Sequence, residues 1–274
     1  MPQAPVPSPF IVRTYGEFGP QVILLHGGPG AAGYMAPVAR ELSDSFRIVE
    51  PFQRRREQEP LTVQRHIDDL HDVFAAYTSD ERPAVIGHSW GAMLALAYAA
   101  QHPDAACCVV LVGCGTFDSA AREYLQSTVA SRTSPQLGSR LRRVSRETMD
   151  PDVRLCVYGR LLEPLYSYDS SADEVDETEE YDRKGHDESW RDMLRLQKRG
   201  VYPSTFAGIT APVLMLHGDW DPHPGRMTLA TLQPYLPQLE YIELKNCGHY
   251  PWREREARGA FYEALLDWLS LCMT

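Results

Sequence analysis

One serine of the sequence lies in a pattern that suits a nucleophile. Ser89 is the third residue of a Gly-His-Ser-Trp-Gly segment, 87–91, which fits G-x-S-x-G. An apolar run at 84–86 precedes this segment and a helix-forming run at 92–100 follows it. Where a strand turns sharply into a helix, the middle residue is strained, and glycines two positions before and after it avoid clashes. The pattern predicts that Ser89 is presented as a nucleophile at the carboxyl edge of a sheet; a chance glycine-rich turn is the alternative.

A serine hydroxyl becomes an effective nucleophile when an imidazole takes its proton and a carboxylate fixes the tautomer of that imidazole. His249 follows the last predicted strand and precedes the C-terminal helix, where such a base is expected. The preceding predicted strand is followed by two acids, Asp219 and Asp221. We expect Asp221 to be the carboxylate, because three residues beyond Gly218 it has room to clear the strand, and Asp219 is the alternative. The order Ser89, Asp221, His249 is the chain order of triads built on this type of turn.

The acidic segment also allows a second interpretation. His217, Asp219, Asp221 and His223 are all residue types that bind metal ions. A strand end followed by a triad loop accounts for the same four residues without a metal. We therefore expect neither a metal nor any other cofactor.

A glycine-rich turn after another predicted strand suits the stabilisation of an oxyanion. It has the sequence His-Gly-Gly-Pro-Gly over 26–30. Residues without side chains let backbone N–H groups turn toward a reacting carbonyl, where each donor contributes about 3 to 4 kcal/mol to catalysis. We expect the N–H groups of Gly28 and Trp90 to be the donors, with Gly27 as the alternative to Gly28. The turn does not fit G-x-G-x-x-G, so it is not predicted to bind a dinucleotide.

These residues require a scaffold that brings distant strand ends together, and the rest of the sequence predicts one. Short apolar runs that end in glycine alternate with helical patterns, which is typical of crossover units. The predicted strands span residues 11–15, 22–26, 47–50, 84–87, 108–113, 213–217 and 240–244. The predicted helices span residues 34–42, 63–77, 90–101 and 256–271. The predicted fold class is therefore α/β, with a mainly parallel, doubly wound sheet.

No strand is predicted in the roughly one hundred residues between the strand that ends at 113 and the one that begins at 213. A structureless loop of that length is improbable in a compact domain. Because the segment is charged and helix-like, we predict an inserted helical cap at 116–206, with 1–115 and 207–274 forming the core domain. Six of the eight residues at 173–180 within this cap are acidic.

Composition and charge exclude several classes of protein. Hydrophobic residues make up 43% of the 274 and charged residues 23%, as in ordinary globular proteins and unlike disordered or coiled-coil chains. The formal net charge is −10, and nucleic-acid binding requires clustered basic residues. The longest apolar run, 92–100, is short of the roughly 20 residues that a membrane-spanning helix needs. We therefore expect neither nucleic acid nor a membrane as a partner.

The cysteines and the first residues bear on the cellular compartment. The six cysteines include no C-x-x-C pair, which favours reduced thiols over disulfides or a zinc site. Residues 1–10 carry four prolines and no basic residue, unlike a secretory signal. We expect a cytoplasmic protein, and the sequence does not predict an oligomeric state.

Taken together, these motifs resemble those of α/β-hydrolase fold proteins over nearly the whole chain, from about 10 to 273. The pairing of the turn at 26–30 with the serine segment at 87–91 is similar to the proline iminopeptidase group of serine peptidases. That group usually follows the next strand with an Asp-Gln-Arg-Gly type turn. This chain instead has Glu-Pro-Phe-Gln-Arg-Arg at 50–55, and its cap is rather short for the group. The resemblance therefore predicts the chemistry better than the substrate.

The resemblance implies a serine hydrolase that works through an acyl-enzyme, with an aminopeptidase of proline iminopeptidase type as one candidate. Acidic cap residues bind the charged amino terminus in that group, and Glu163 and Glu188 match their contexts best here, ordinary surface acids being the alternative. A carboxylesterase or a carbon–carbon bond hydrolase acting on a small acyl substrate is the second candidate. A ligand-binding receptor on the same fold is a third. For the enzymes, the expected partner is a small-molecule or short-peptide substrate.

Overall fold

Seven strands form one sheet in the computed structural model, which describes residues 11–78, 81–171 and 181–273. The strand order is β1-β3-β2-β4-β5-β6-β7. All neighbouring pairs are parallel except β1 and β3, which are antiparallel. The strands are β1 (Val12–Tyr15), β2 (Gln21–Leu25), β3 (Arg47–Pro51), β4 (Ala84–His88), β5 (Cys108–Val112), β6 (Val213–Gly218) and β7 (Leu239–Leu244).

Helices connect most of these strands and cover both faces of the sheet. Over the described ranges the α-helices are α1 (Ala36–Leu42), α2 (Val63–Tyr77), α3 (Trp90–Gln101), α4 (Ser119–Arg132), α5 (Pro135–Glu147), α6 (Pro151–Tyr166), α7 (Arg183–Lys198), α8 (Gly225–Leu232) and α9 (Ala257–Cys272). In this part of the chain, no helix has the length and apolar character needed to cross a bilayer.

Two hydrophobic layers enclose the sheet, because successive side chains of a strand point to opposite faces. On one face, Ile23 and Leu25 of β2 pack with α2 and α3. On the other face, Val22 and Leu24 pack with α1 and α9. Strands β2, β4, β5 and β6 are buried along their whole length, as expected for parallel strands covered on both sides. The predicted α/β fold with a mainly parallel, doubly wound sheet is confirmed.

The bounds of several elements follow the local sequence closely. Helices α2 and α3 have the predicted bounds, 63–77 and 90–101. Helix α1 begins two residues later than predicted, and Pro37 lies in its first turn, where a missing N–H costs no helical hydrogen bond. Helix α8 is absent from the predicted set, since eight residues are too few to establish a helical period.

The segment between β5 and β6 is helical where the structure describes it, with α4 to α7 lying in sequence order. Helix α5 has no buried residue, whereas α7 buries Gly185, Ser189 and Met193. The acidic stretch 173–180 lies outside the described residues. The helices of this segment thus differ in how much of their surface packs on the rest of the molecule.

A buried carboxylate fastens this segment to the core. Glu254 Oε1 accepts the backbone N–H groups of Tyr168 and Gly248, each at 2.8 Å, and Oε2 accepts that of Asp169 at 2.7 Å. The Glu254 residue is 1% exposed. Gly248 directly precedes His249, so the same carboxylate fixes both the chain beyond α6 and the loop beyond β7.

The sheet brings the chemically interesting loops to one edge. Parallel strands all end at the same edge, and β2, β4, β6 and β7 lie within five consecutive positions of the strand order. The loops that follow these strands carry Gly28, Ser89, Asp221 and His249 respectively.

Candidate active site

Ser89 occupies the sharp turn between β4 and α3. Its φ and ψ are +55° and −115°, a conformation that costs a non-glycine residue about 1 to 3 kcal/mol. Its backbone N–H donates to Val112 O at 2.9 Å, which ties the turn to β5. A Cβ at Gly87 would collide with the carbonyl oxygen of Gly91, and a Cβ at Gly91 with that of Leu25. The two glycines of the pattern are therefore required by close packing at the turn.

His249 and Asp221 lie in direct contact. The distance between His249 Nδ1 and Asp221 Oδ2 is 2.7 Å, and both side chains are almost completely buried. Burial lowers the pKa of His249, although the Asp221 carboxylate opposes that effect. Burial alone would raise the pKa of Asp221, but the neighbouring imidazoles of His249, His223 and His217 hold it well below its usual value. The pair is thus a neutral imidazole held by an ionised carboxylate.

Asp219, the alternative acid, faces other groups. Its Oδ1 accepts the backbone N–H of Cys247 at 3.3 Å, and its Oδ2 lies 3.5 Å from Lys245 Nζ. The structure therefore brings Asp221, and not Asp219, to His249.

The two glycines considered as oxyanion donors differ in their hydrogen bonds. The N–H of Gly27 donates to the hydroxyl of Tyr34 at 2.7 Å, so it is already engaged. Gly28, at φ +113°, lines the same cavity as Ser89. Trp90 is the first residue of α3, a position whose N–H has no partner within the helix. Of the two glycines, Gly28 is the better candidate donor beside Trp90.

A cavity of about 470 Å³ is lined both by loops of the core and by the helices between β5 and β6. Such a volume is typical of sites for small molecules. The core contributes Gly28, Ser89 and His249 to its lining, and the helical segment contributes Arg122, Arg160, Glu163 and Trp190. Ser89 and His249 therefore face a space that also contacts the segment beyond β5.

The two glutamates singled out in the sequence have different surroundings. Glu163 lines the cavity, and its Oε1 lies 2.8 Å from Arg253 Nη1. Glu188 is not among the lining residues: its Oε2 accepts the N–H of Leu61 at 3.0 Å, and its Oε1 lies 3.5 Å from Arg56 Nε. Helix α7 packs on the start of α2, and Glu188 contacts residues that precede α2. Glu163, and not Glu188, therefore lines the cavity that Ser89 and His249 line.

A chain of hydrogen bonds in the wall of the cavity was not predicted from the sequence. The hydroxyl of Tyr34, which accepts from Gly27, lies 2.6 Å from His88 Nδ1, and His88 Nε2 lies 2.8 Å from His249 O. Burial lowers the pKa of His88 well below its usual value, so the ring is neutral and the network assigns its proton to Nε2. His88 occupies a variable position of G-x-S-x-G, and Tyr34 belongs to no motif, so neither carried a signal.

Gln53 connects two of the predicted motifs. Its backbone N–H donates to His26 Nε2 at 2.9 Å and its side-chain amide to His26 O at 2.6 Å. Its Oε1 accepts the indole N–H of Trp90 at 2.9 Å. Gln53 belongs to the Gln-Arg pair that this chain shares with the iminopeptidase pattern, so the resemblance did offer a signal for it.

The four residues of the metal-binding interpretation do not form one group. Asp219 faces Lys245, whereas polar atoms of Asp221, His223 and His249 lie within 4.8 Å of one another. Both oxygens of Asp221 accept hydrogen bonds from imidazoles, His223 at Oδ1 and His249 at Oδ2. Hydrogen bonds to the two imidazoles therefore account for the positions of these three side chains.

Curated relatives match a limited part of the chain. A segment of 98 residues is 32% identical to the "Probable aminopeptidase YbaC" of Bacillus subtilis, which covers 31% of each protein. The chain spans about a third of the length of the curated relatives it matches. What these relatives do is therefore not transferred to the whole chain.

Solved structures and a family model match over most of the chain. A thermophilic esterase from Thermogutta terrifontis superposes with a TM-score of 0.65 at 19% identity, covering 97% of this chain and 94% of its own. The enol-lactonase from Burkholderia xenovorans LB400 superposes with a TM-score of 0.64 at 19% identity, covering 95% and 96%. At such identities the likeness concerns the fold. The model of the alpha/beta hydrolase family matches residues 22–264, and the chain belongs to that family.

Proposed function

We propose that the chain is a serine hydrolase that acts through an acyl-enzyme intermediate. The observation that carries the proposal is the 2.7 Å contact between His249 Nδ1 and Asp221 Oδ2 beside a cavity that Ser89 also lines. A neutral base, an ionised carboxylate and a strained serine are the components that nucleophilic acyl transfer requires.

In the proposed reaction, Ser89 Oγ attacks the substrate carbonyl carbon while His249 Nε2 takes the hydroxyl proton. Asp221 keeps the other imidazole nitrogen protonated and stabilises the imidazolium. The oxygen of the tetrahedral intermediate accepts hydrogen bonds from the N–H groups of Gly28 and Trp90. The intermediate collapses as His249 returns its proton to the leaving group, which leaves Ser89 acylated. A water molecule, deprotonated by His249, then attacks the ester and releases the acid.

Labelling with a fluorophosphonate tests this proposal and separates it from a ligand-binding receptor on the same fold. The wild type should be labelled at Ser89, and Ser89→Ala should not. A binding protein has no activated serine, so an unlabelled wild type that is folded by circular dichroism would overturn the proposal.

A small ester is the substrate that we propose first. The cavity has the volume of a small-molecule site, and its lining includes aromatic and apolar side chains such as Tyr166, Trp190 and Leu194. Two of the structural neighbours are an esterase and an enol-lactonase, which adds support from proteins of the same fold. A panel of short-chain nitrophenyl esters and aminoacyl arylamides, including prolyl, tests the choice, with ester turnover expected to be the faster.

An aminopeptidase of proline iminopeptidase type is the second candidate, because Glu163 lines the cavity and one relative is named a probable aminopeptidase. Burial of a substrate ammonium is costly unless a carboxylate compensates it. Glu163 is already paired with Arg253 at 2.8 Å, so an ammonium would have to share that carboxylate.

Substrates with free and acetylated amines decide between the two candidates. For an aminopeptidase, Glu163→Gln should raise KM for free-amine substrates about 10-fold to 100-fold, as loss of a partly desolvated charge pair predicts. Glu188→Gln is the matched control, since its carboxylate faces Arg56 and Leu61 instead. Equal cleavage of free and acetylated substrates by the wild type would leave the esterase.

A further inference from the structure

A second imidazole, that of His223, contacts the same carboxylate as His249. Its Nδ1 lies 3.0 Å from Asp221 Oδ1, and its backbone N–H donates to that oxygen at 2.9 Å. Its ring stacks on the ring of His249, with centroids 4.6 Å apart and planes inclined by 19°. The side chain is 11% exposed and lines the same cavity as Ser89. His223 therefore belongs to the site, although the reaction described above does not use it.

The two oxygens of Asp221 have separate partners. Oδ1 accepts hydrogen bonds from His223, whereas Oδ2 lies 2.7 Å from His249 Nδ1 and 3.3 Å from His217 Nε2. Rotation of an aspartate about its Cβ–Cγ bond is soft, because that bond joins an sp³ to an sp² carbon. Hydrogen bonds to Oδ1 resist this rotation, which would otherwise carry Oδ2 away from His249.

The tautomer of His223 follows from its partner. An ionised carboxylate only accepts hydrogen bonds, so the Nδ1 that faces Asp221 carries a proton. His223 is therefore the donor in this hydrogen bond.

The groups that face His223 come from three neighbouring parts of the molecule. His217 lies at the end of β6, and His249 follows β7. The phenol of Tyr166, from α6, has its ring centroid 5.8 Å away.

We propose, on the basis of the proposed function, that His223 is a positioning residue of the triad. Its side chain holds Asp221 Oδ1 so that Oδ2 remains directed at His249.

Two substitutions separate the hydrogen bond from the ring. His223→Phe keeps an aromatic ring against His249 but removes the donor to Asp221. His223→Asn removes the ring but keeps an N–H group as many bonds from Cα as Nδ1 is. The backbone bond to Oδ1 persists in both variants, so we expect a moderate loss in His223→Phe, about 10-fold in kcat with little change in KM, and recovery of most of kcat in His223→Asn.

Each possible result bears on the proposal. A His223→Phe enzyme with wild-type kcat, or a His223→Asn enzyme as slow as His223→Phe, would overturn it. If His223→Phe does not fold, as judged by circular dichroism, His223→Ala replaces it, and added imidazole should restore kcat through the cavity. Absence of Ser89 labelling in the wild type would instead overturn the proposed function itself, so the two failures are distinguishable.

Discussion

The backbone of Ser89 has a positive φ, which is unfavourable for a residue with a side chain. This conformation restricts which residues can stand next to Ser89 in the turn. The glycines at 87 and 91 are the positions where a Cβ would meet the backbone of α3 or β2. The bond from Ser89 N–H to Val112 O anchors the turn from the other side. Ser89 can thus be replaced by alanine without altering the turn, whereas replacement of either glycine by alanine would disturb it.

Substitution within the proposed triad should abolish turnover and preserve the fold. We expect Ser89→Ala, His249→Ala and Asp221→Asn each to lower kcat by about 10³-fold or more. Asp219→Asn is the matched control, because Asp219 faces Lys245 and the Cys247 backbone. Steady-state kinetics with the best ester substrate measure the effect. A collapse in Asp219→Asn with normal turnover in Asp221→Asn would show that the wrong carboxylate had been chosen.

The pH dependence of the wild type should reflect the buried position of His249. Burial, the larger influence, lowers the pKa of His249 below its ordinary value of 6.5. A lower pKa keeps the base neutral at more acidic pH, so activity should persist there. We expect kcat/KM to be constant near neutrality and to fall with an acid limb below pH 6.5. An acid limb well above that value would contradict the arrangement.

At the scale of elements, the hydroxyl of Tyr34 links the loop after β2 to the end of β4 and, through His88, to the loop after β7. Tyr34→Phe should leave the N–H of Gly27 and Nδ1 of His88 buried without their partner. Each unsatisfied buried group costs about 1 to 3 kcal/mol, so we expect the free energy of unfolding to fall by a few kcal/mol and kcat to fall with it.

Urea denaturation measures the first effect of this substitution and ester hydrolysis the second. Tyr124→Phe on α4 is the matched control, since Tyr124 is 52% exposed. An equal, small effect of both substitutions would show that the chain of hydrogen bonds does not hold the loops.

The sequence predicted those elements whose signal is local. Helix α2 follows from apolar spacing within its own residues, and α3 follows from an unbroken helix-forming run. Ser89 follows from two glycines and a strand. Contacts between distant segments had no such signal. Glu163 and Glu188 looked equivalent in the sequence, because the packing of α7 on α2 that separates them depends on residues far along the chain. His223 was noticed as one member of a ligand-like cluster, but its bond to Asp221 required the loop conformation after β6.

At the scale of the whole molecule, Glu254 joins the helical segment to the core. Glu254→Gln replaces one carboxylate oxygen with an NH2 group, which cannot accept the N–H bonds now made there. We expect a loss of about 2 to 4 kcal/mol in the free energy of unfolding, since hydrogen bonds to buried charges are strong. Thermal and urea unfolding measure it. Glu263→Gln, at an exposed position of α9, is the control and should change stability by less than about 0.5 kcal/mol.

The place at which the helical segment enters the chain has an evolutionary consequence. In the part of the chain that the structure describes, four α-helices lie between β5 and β6, whereas the loops after β2, β4, β6 and β7 lie before or after that segment in the sequence. The proposed catalytic residues and most of the cavity wall opposite them are therefore encoded in different stretches of the gene. Mutation or exchange of the segment could change which molecules enter, while the turn at Ser89 and the Asp221–His249 pair are inherited intact. The tether at Glu254 limits that freedom, because an exchanged segment must still offer two backbone N–H groups to it.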